Sequence, residues 1–204
     1  MSEANLSTKI ITIPNLLTFM RMGLIPLFAI LLAYHQSGWA LLVFTIAGVS
    51  DGVDGFIARR FKQESELGTF LDPIADKLLM TTAFVMLTIP SVMGTARFLP
   101  VPFWVTATVI GRDVMILVVA GSITLLTGFR GFKPSWLGKA STFVQVVAVI
   151  LILVAAAYPE LRGFYLPTVY TTTAAFAVFS GVHYIFYVAK LMREAADSDS
   201  LSGS

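Results

Sequence analysis

Residues 50–77 read SDGVDGFIARRFKQESELGTFLDPIADK and hold four aspartates, four Lys or Arg residues and two glutamates between two apolar stretches. Asp51 and Asp54 are three residues apart, and Asp72 and Asp76 are four apart. Both spacings place two side chains on one face of a helix. Because only a short polar turn separates the pairs, we expect two antiparallel helices whose four carboxylates face one cleft.

The composition around this stretch is that of an integral membrane protein. Of 204 residues, 56% are hydrophobic and 13% are charged, whereas a soluble domain averages about 25% charged residues. The net charge of +2 gives no argument for a nucleic-acid partner. The chain has no cysteine, which excludes disulfides, thiolate metal sites and a cysteine nucleophile.

Six apolar stretches have about the 20 residues that a helix needs to cross a bilayer. The fold class expected is therefore an all-α integral membrane protein with six transmembrane helices, forming one catalytic domain over residues 1–194. Residues 195–204 are rich in Ser and Asp and are expected to be a disordered cytoplasmic tail. The six predicted spans are Leu16 to Tyr34, Trp39 to Ile57, Thr69 to Ile89, Val101 to Thr127, Trp136 to Tyr158 and Leu166 to Lys190.

Lys and Arg residues between the spans predict the orientation. Six crossings put both termini on the side that carries most of the cations, which by the positive-inside rule is the cytoplasm. We therefore expect the protein in the inner or plasma membrane of the cell, with the acidic hairpin at its cytoplasmic face. The cations on that side are Lys9, Arg59, Arg60, Lys62, Arg130, Lys133, Lys190 and Arg193, against Arg97 and Arg162 on the other.

Four converging carboxylates predict a metal site. Like charges this close force protonation unless a cation lies among them, and oxygen ligands without His or Cys favour Mg²⁺ or Mn²⁺. Four acids supply charge for two ions, and two such ions clamp a phosphoryl group during in-line displacement. Gly55, Ala58 and Gly68 leave room in the cleft for a ligand, and Arg59 is placed to neutralise a diphosphate.

The acidic stretch resembles the signature of the CDP-alcohol phosphatidyltransferase family at every fixed position. Those positions are Asp51, Asp54, Gly55, Ala58, Arg59, Gly68, Asp72 and Asp76. Three further segments, IPNLLTFMR at 13–21, GRDVMIL at 111–117 and KPSWLGKASTFVQ at 133–145, are similar to the branch of phosphatidylglycerophosphate and cardiolipin synthases. The resemblance covers most of residues 13–190 and implies six transmembrane helices, a homodimer and a site open to the cytoplasmic leaflet.

The resemblance also implies residue roles. Asp51, Asp54 and Asp72 would be metal ligands, and Asp76 both a ligand and the general base. The residues that would bind CDP-diacylglycerol are Asn15, Thr18, Gly55, Ala58, Arg59, Ser65 and Gly68. The polar side chains at 15, 18 and 65 suit helix caps equally well.

Arg112 and Lys139 are the positions that the resemblance assigns to the phosphate of the acceptor alcohol. Two cations suit the dianion of glycerol 3-phosphate, so we predict phosphatidyl transfer from CDP-diacylglycerol to glycerol 3-phosphate, with release of CMP. Phosphatidylglycerol is the alternative acceptor, which would make the protein a cardiolipin synthase. Asp113 is interpreted as a structural partner of Lys139 or Arg21.

Two hypotheses from other classes remain open at this point. A divalent-cation transporter would also carry acids inside the membrane, but it needs them near mid-membrane with a path to both sides, and the outer half of this chain has few polar groups. A membrane scaffold without enzymatic activity would need no convergent carboxylates. Arg21 and Lys77 are interpreted either as counter-charges to the acids or as substrate contacts.

Overall fold

A computed structural model describes the backbone of residues 13–61, 66–94, 98–127, 136–158, 160 and 165–202. Within these ranges, it does not describe the side chains of residues 13–15, 51–61, 66–70, 124–127, 191 and 194–202.

The regular elements of the described residues are helices, and no strand is found among them. This confirms the all-α class. The helices are α1 (Ile13–Ala33), α2 (Ser37–Phe61), α3 (Glu66–Thr88), α4 (Pro90–Met93), α5 (Phe103–Thr127), α6 (Trp136–Ala157) and α7 (Leu166–Ser202).

Four of these helices are long and apolar enough to cross a bilayer: Leu16–Ala33, Phe103–Ile123, Trp136–Ala157 and Leu166–Lys190. Among the described residues of α2, the apolar segment is Ser37–Ser50. The aspartates and arginines of the same helix come after it in the sequence. In α3 four charged residues fall in the first half of the helix, namely Glu66, Asp72, Asp76 and Lys77. The integral membrane class is therefore supported, while the count of six crossings stays a prediction for α2 and α3.

The chain divides into two compact units, and each is described by itself. The first comprises Met1–Pro102 and Val146–Leu166, and the second Phe103–Gln145 and Pro167–Ser204. One catalytic domain over residues 1–194 stays a prediction. So does disorder from residue 195, although α7 is helical as far as Ser202.

In the first unit, α1 packs against α2, α3 and α4, and α3 packs against α4. Phe28 of α1 and Phe44 of α2 are both buried, with ring centroids 5.7 Å apart and ring planes inclined by 47°. Ala40, Ala47 and Ala83 are fully buried, and such small side chains let helix backbones approach closely. The packing of small and aromatic residues thus holds α1 against the helices that carry the acids.

Several hydroxyls within the helices donate to the carbonyl oxygen four residues earlier in their own helix. Thr45 bonds the Leu41 oxygen at 2.8 Å, Thr108 bonds the Trp104 oxygen at 2.7 Å, and Thr173 bonds the Val169 oxygen at 2.7 Å. Such a bond satisfies the hydroxyl within its own helix, where lipid offers no partner. A hydroxyl that instead bonds another helix therefore indicates a specific contact.

We predict that Phe28→Ala lowers the free energy of unfolding by about 3 kcal/mol, the cost of the cavity left in the α1–α2 contact. Leu27→Ala, one residue away on the same helix but 42% exposed, is the control and should change stability little. The thermal midpoint of each purified variant in detergent measures the difference. Equal losses in both variants would contradict the α1–α2 packing described above.

Candidate active site

The helices α2 and α3 carry the acidic signature. Asp51 and Asp54 lie in the second half of α2, which continues unbroken to Phe61. Each pair of aspartates is therefore on one helix, as the spacing predicts. The side chains at 51 and 54 lie outside the described residues, so the convergence of all four carboxylates stays a prediction.

Asp72 is held by a contact from another helix. The Oγ1 hydroxyl of Thr18, on α1, donates a hydrogen bond to Oδ1 of Asp72, on α3. Thr18 is fully buried and Asp72 is partly buried. A hydrogen bond to one carboxylate oxygen fixes the orientation of the other, as outer contacts do for metal ligands. Thr18, predicted to contact the nucleotide, is thus placed against a predicted metal ligand.

Arg21 lies on the same face of α1 as Thr18, three residues further along, and its side chain is fully buried. Arg21 lies about one turn after Thr18 on α1, and Asp76 lies about one turn after Asp72 on α3. A buried cation is strongly destabilising unless anions compensate it. This placement favours the interpretation of Arg21 as a counter-charge to the acidic pair of α3.

The available donors fit a hard divalent cation. Among the described side chains, no three His, Asp or Glu residues are close enough together to hold a metal ion. The predicted set, however, includes Asp51 and Asp54, whose side chains are outside that part of the chain. The donors at this place are carboxylate oxygens supported by a hydroxyl, the chemistry that Mg²⁺ and Mn²⁺ prefer.

The remaining predicted contacts to CDP-diacylglycerol are not tested by the structure. Asn15 lies in the first turn of α1, and Gly55, Ala58 and Arg59 belong to the last part of α2. Gly68 lies near the start of α3. At these five positions only the backbone is described, and Ser65 as a whole falls outside the described residues. Their roles stay predictions.

In the second unit, Arg112 of α5 is the centre of a buried polar cluster and is only 8% exposed. Its Nη1 donates to Oδ1 of Asp113 at 2.7 Å. Its Nε and Nη2 donate to the Ser180 hydroxyl on α7 at 3.3 and 2.8 Å. Nη2 also lies 3.4 Å from the Gly138 carbonyl oxygen on α6, a long contact. Three helices therefore meet at one guanidinium.

Asp113 forms an ion pair with the adjacent residue Arg112, whereas the sequence suggested Lys139 or Arg21 as its partner. The side chains of Arg112 and Asp113 are 7% and 11% exposed, so the pair is largely removed from solvent. The structure also brings Arg112 next to the residue that precedes Lys139, because Gly138 accepts the long contact. The Lys139 side chain itself is exposed.

Ser180 is the residue of this cluster that the sequence did not indicate. It is fully buried and lies 68 positions from Arg112 in the sequence. A serine in an apolar helix usually bonds its own backbone, so no motif marks it as a partner of a distant arginine. The adjacent small residues Ser180 and Gly181 are the feature of the sequence that could have indicated a close helix contact.

Comparison with known proteins agrees with the resemblance. The family described as CDP-alcohol phosphatidyltransferase matches residues 11–192 of this chain. A Streptomyces coelicolor protein named cardiolipin synthase (CMP-forming) is 38% identical over 151 residues, covering 71% of this chain and 66% of the relative. The Homo sapiens protein of the same name is 34% identical over 202 residues, covering 91% of this chain and 64% of the relative.

A relative with a different name is equally similar. An Escherichia coli protein named CDP-diacylglycerol–glycerol-3-phosphate 3-phosphatidyltransferase is 38% identical over 148 residues, covering 69% of this chain and 76% of the relative. The family match spans nearly the whole chain and includes both groups of helices that carry the polar clusters. The chain is therefore a membrane enzyme that belongs to the CDP-alcohol phosphatidyltransferase family.

Proposed function

We propose that this enzyme transfers the phosphatidyl group of CDP-diacylglycerol to phosphatidylglycerol, forming cardiolipin and releasing CMP. Its place in phospholipid biosynthesis follows from the family, and the acceptor is the proposed part. The observation that carries this choice is the ion pair between Arg112 and Asp113. Membership of a transferase family leaves the cation-transporter and scaffold hypotheses without support.

The ion pair between Arg112 and Asp113 lowers the net positive charge of the predicted acceptor-phosphate site. From sequence, Arg112 and Lys139 counted as two cations and favoured glycerol 3-phosphate. With Asp113 at 2.7 Å from Arg112, the three side chains together carry one net positive charge. A phosphodiester such as phosphatidylglycerol carries one negative charge, whereas a phosphate monoester carries about −1.5 to −2 at pH 7. Arg112 and Asp113 are largely buried, whereas Lys139 is exposed. Since surplus charge is costly at the buried part of this site, the monoanion matches better.

The relatives support the same choice, with one exception. Two of the three relatives described above are named cardiolipin synthase, and the human protein matches 91% of this chain. The Escherichia coli relative, named for glycerol 3-phosphate, is as similar in identity over its shorter match. Glycerol 3-phosphate is therefore the second candidate acceptor.

The chemistry proposed for the acidic pairs is one displacement at phosphorus. Asp51, Asp54, Asp72 and Asp76 would hold two Mg²⁺ or Mn²⁺ ions, which when bound neutralise phosphate charge and stabilise the attacking and leaving oxygens. Asp76 accepts the proton of the acceptor hydroxyl as that oxygen bonds to the phosphatidyl phosphorus. The bond from this phosphorus to the oxygen of CMP breaks, and CMP leaves with the electron pair.

The other residues of the first unit bind and orient. We assign the CDP-diacylglycerol headgroup to Asn15, Gly55, Ala58, Arg59, Ser65 and Gly68, as the family signature implies. Thr18 has a second role in this proposal, because its hydroxyl orients the Asp72 carboxylate. We further propose cytoplasmic termini, an active site at the cytoplasmic leaflet and a homodimer. The excess of Lys and Arg on one side of the predicted spans supports the orientation.

The acceptor is tested with purified protein, CDP-diacylglycerol and Mg²⁺, by measuring CMP release with either phosphatidylglycerol or glycerol 3-phosphate. We expect kcat/KM to be at least about tenfold higher with phosphatidylglycerol, because an unmatched charge at a poorly solvated site costs more than about 1.4 kcal/mol. A reaction without acceptor is the control for hydrolysis. Faster CMP release with glycerol 3-phosphate would instead identify a phosphatidylglycerophosphate synthase.

Asp76→Asn should lower kcat by about 100-fold or more, the usual contribution of a general base, while the thermal midpoint stays near that of the wild type. Binding of Mn²⁺, measured by electron paramagnetic resonance, should be largely retained through the other carboxylates. Glu160→Gln, which removes an exposed carboxylate, is the matched control. A wild-type rate in Asp76→Asn would eliminate this residue as the base.

Thr18→Val keeps the side-chain volume but removes the donor to Asp72. We expect the Mg²⁺ concentration for half-maximal activity to rise about 10-fold or more, as when an outer contact of a metal ligand is lost. Thr45→Val is the control, since the Thr45 hydroxyl bonds its own helix. If only the KM for CDP-diacylglycerol rose, Thr18 would act as a nucleotide contact alone, and its role in orienting Asp72 would be wrong.

A further inference from the structure

We propose that Ser180 is a positioning residue that fixes the Arg112 guanidinium for recognition of the acceptor's phosphate. The inference rests on the proposed role of Arg112 in binding that phosphate. In the structure the Ser180 oxygen accepts hydrogen bonds from the guanidinium. Its effect on the reaction would pass through the orientation of Arg112.

The hydroxyl of Ser180 accepts from two nitrogens of the same guanidinium, Nη2 at 2.8 Å and Nε at 3.3 Å. Ser180 is fully buried and Arg112 nearly so. In such surroundings each unsatisfied N–H is costly. The guanidinium orientation that satisfies Nε and Nη2 together is therefore favoured over the other rotations of this long side chain.

Asp113 and Ser180 hold the guanidinium from two directions. Asp113, on the same helix, accepts from Nη1, whereas Ser180 on α7 accepts along the Nε edge. An arginine has five N–H donors. The long contact from Nη2 to the Gly138 oxygen, at 3.4 Å, is the weakest of the set. A phosphate oxygen could replace this contact without disturbing the two that set the plane.

The backbone beside Ser180 is packed against the arginine stem. A Cβ atom added at Gly181 would lie 3.1 Å from Cε of Met115 and 3.7 Å from Cγ of Arg112. The absence of a side chain at this position therefore lets α7 approach α5 closely, as small residues do in membrane helix pairs. The approach places the Ser180 hydroxyl within reach of the guanidinium.

The test compares Ser180→Ala with Ser180→Thr, which retains a hydroxyl. Because bonds to a charged group are stronger than neutral ones, we expect Ser180→Ala to raise the KM for the acceptor about tenfold. The KM for CDP-diacylglycerol should change less than about twofold, and Ser180→Thr should return the acceptor KM toward the wild-type value. Should Ser180→Ala fail to fold, Ser180→Cys keeps the volume with a weaker acceptor atom, and the same shift is expected.

Thr173→Val provides the matched control. Thr173 is also buried on α7, but its hydroxyl donates to the Val169 oxygen of its own helix. Loss of this hydroxyl should leave both KM values unchanged. If Thr173→Val raised the acceptor KM as much as Ser180→Ala, the effect would come from general perturbation of α7, and the positioning role would be overturned.

The Arg112→Lys background separates a positioning role from a direct one. Lysine keeps the positive charge but lacks the planar fork that Ser180 engages. Ser180→Ala should have no further effect on the acceptor KM in this background. An undiminished effect there, or equal increases in both KM values in the wild-type background, would overturn the inference.

An error in the proposed function would give a different pattern of KM values. Arg112→Ala should itself raise the acceptor KM more than the KM for CDP-diacylglycerol. If it does not, the proposed phosphate-binding role of Arg112 is wrong, whatever Ser180→Ala does. All variants are measured with both phosphatidylglycerol and glycerol 3-phosphate, so an error in the acceptor's identity is distinguished from an error about Ser180.

Discussion

A charged group inside a bilayer is stable only where other polar groups compensate it, and this constraint explains the two polar clusters of the protein. In the second unit, the guanidinium of Arg112 is compensated by the Asp113 carboxylate and the Ser180 hydroxyl. In the first unit, a buried hydroxyl on α1 holds the Asp72 carboxylate on α3. The charges of Arg112 and Asp72 therefore come with partners that also fix the orientation of these side chains.

The cost of charge inside a bilayer also explains how apolar and acidic residues are distributed among the helices. The spans of α1, α5, α6 and α7 are apolar enough to anchor the protein. The helices α2 and α3 carry the acidic signature, so charged residues interrupt their apolar sequence. They depend on packing against α1, through contacts such as Phe28 with Phe44, to hold the acids in place. The acidic signature and the long apolar spans found among the described residues thus lie largely on different helices.

Much of this could be predicted from the sequence, because hydropathy and helical spacing are local properties. The all-α class and the placement of each aspartate pair on one helix follow from residues a few positions apart. The ion pair of Asp113 with Arg112 could not be predicted in this way. Adjacent residues point in different directions around a helix, and here the long arginine side chain bridges them. The contact of Ser180 with Arg112 could not be predicted either, because it depends on how α7 is rotated against α5. Bonds over 54 and 68 positions are set by packing, which no local pattern encodes.

The depth of Arg112 also bears on how the enzyme meets its substrates. The guanidinium is nearly closed to water and borders apolar helices. An acceptor with acyl chains could reach it by moving sideways through the leaflet, as CDP-diacylglycerol would. Both reactants would then diffuse in two dimensions, and the rate would follow their mole fractions in the surrounding lipid and not their bulk amounts. Diluting the bilayer with an inert phospholipid would slow such an enzyme even at constant total substrate.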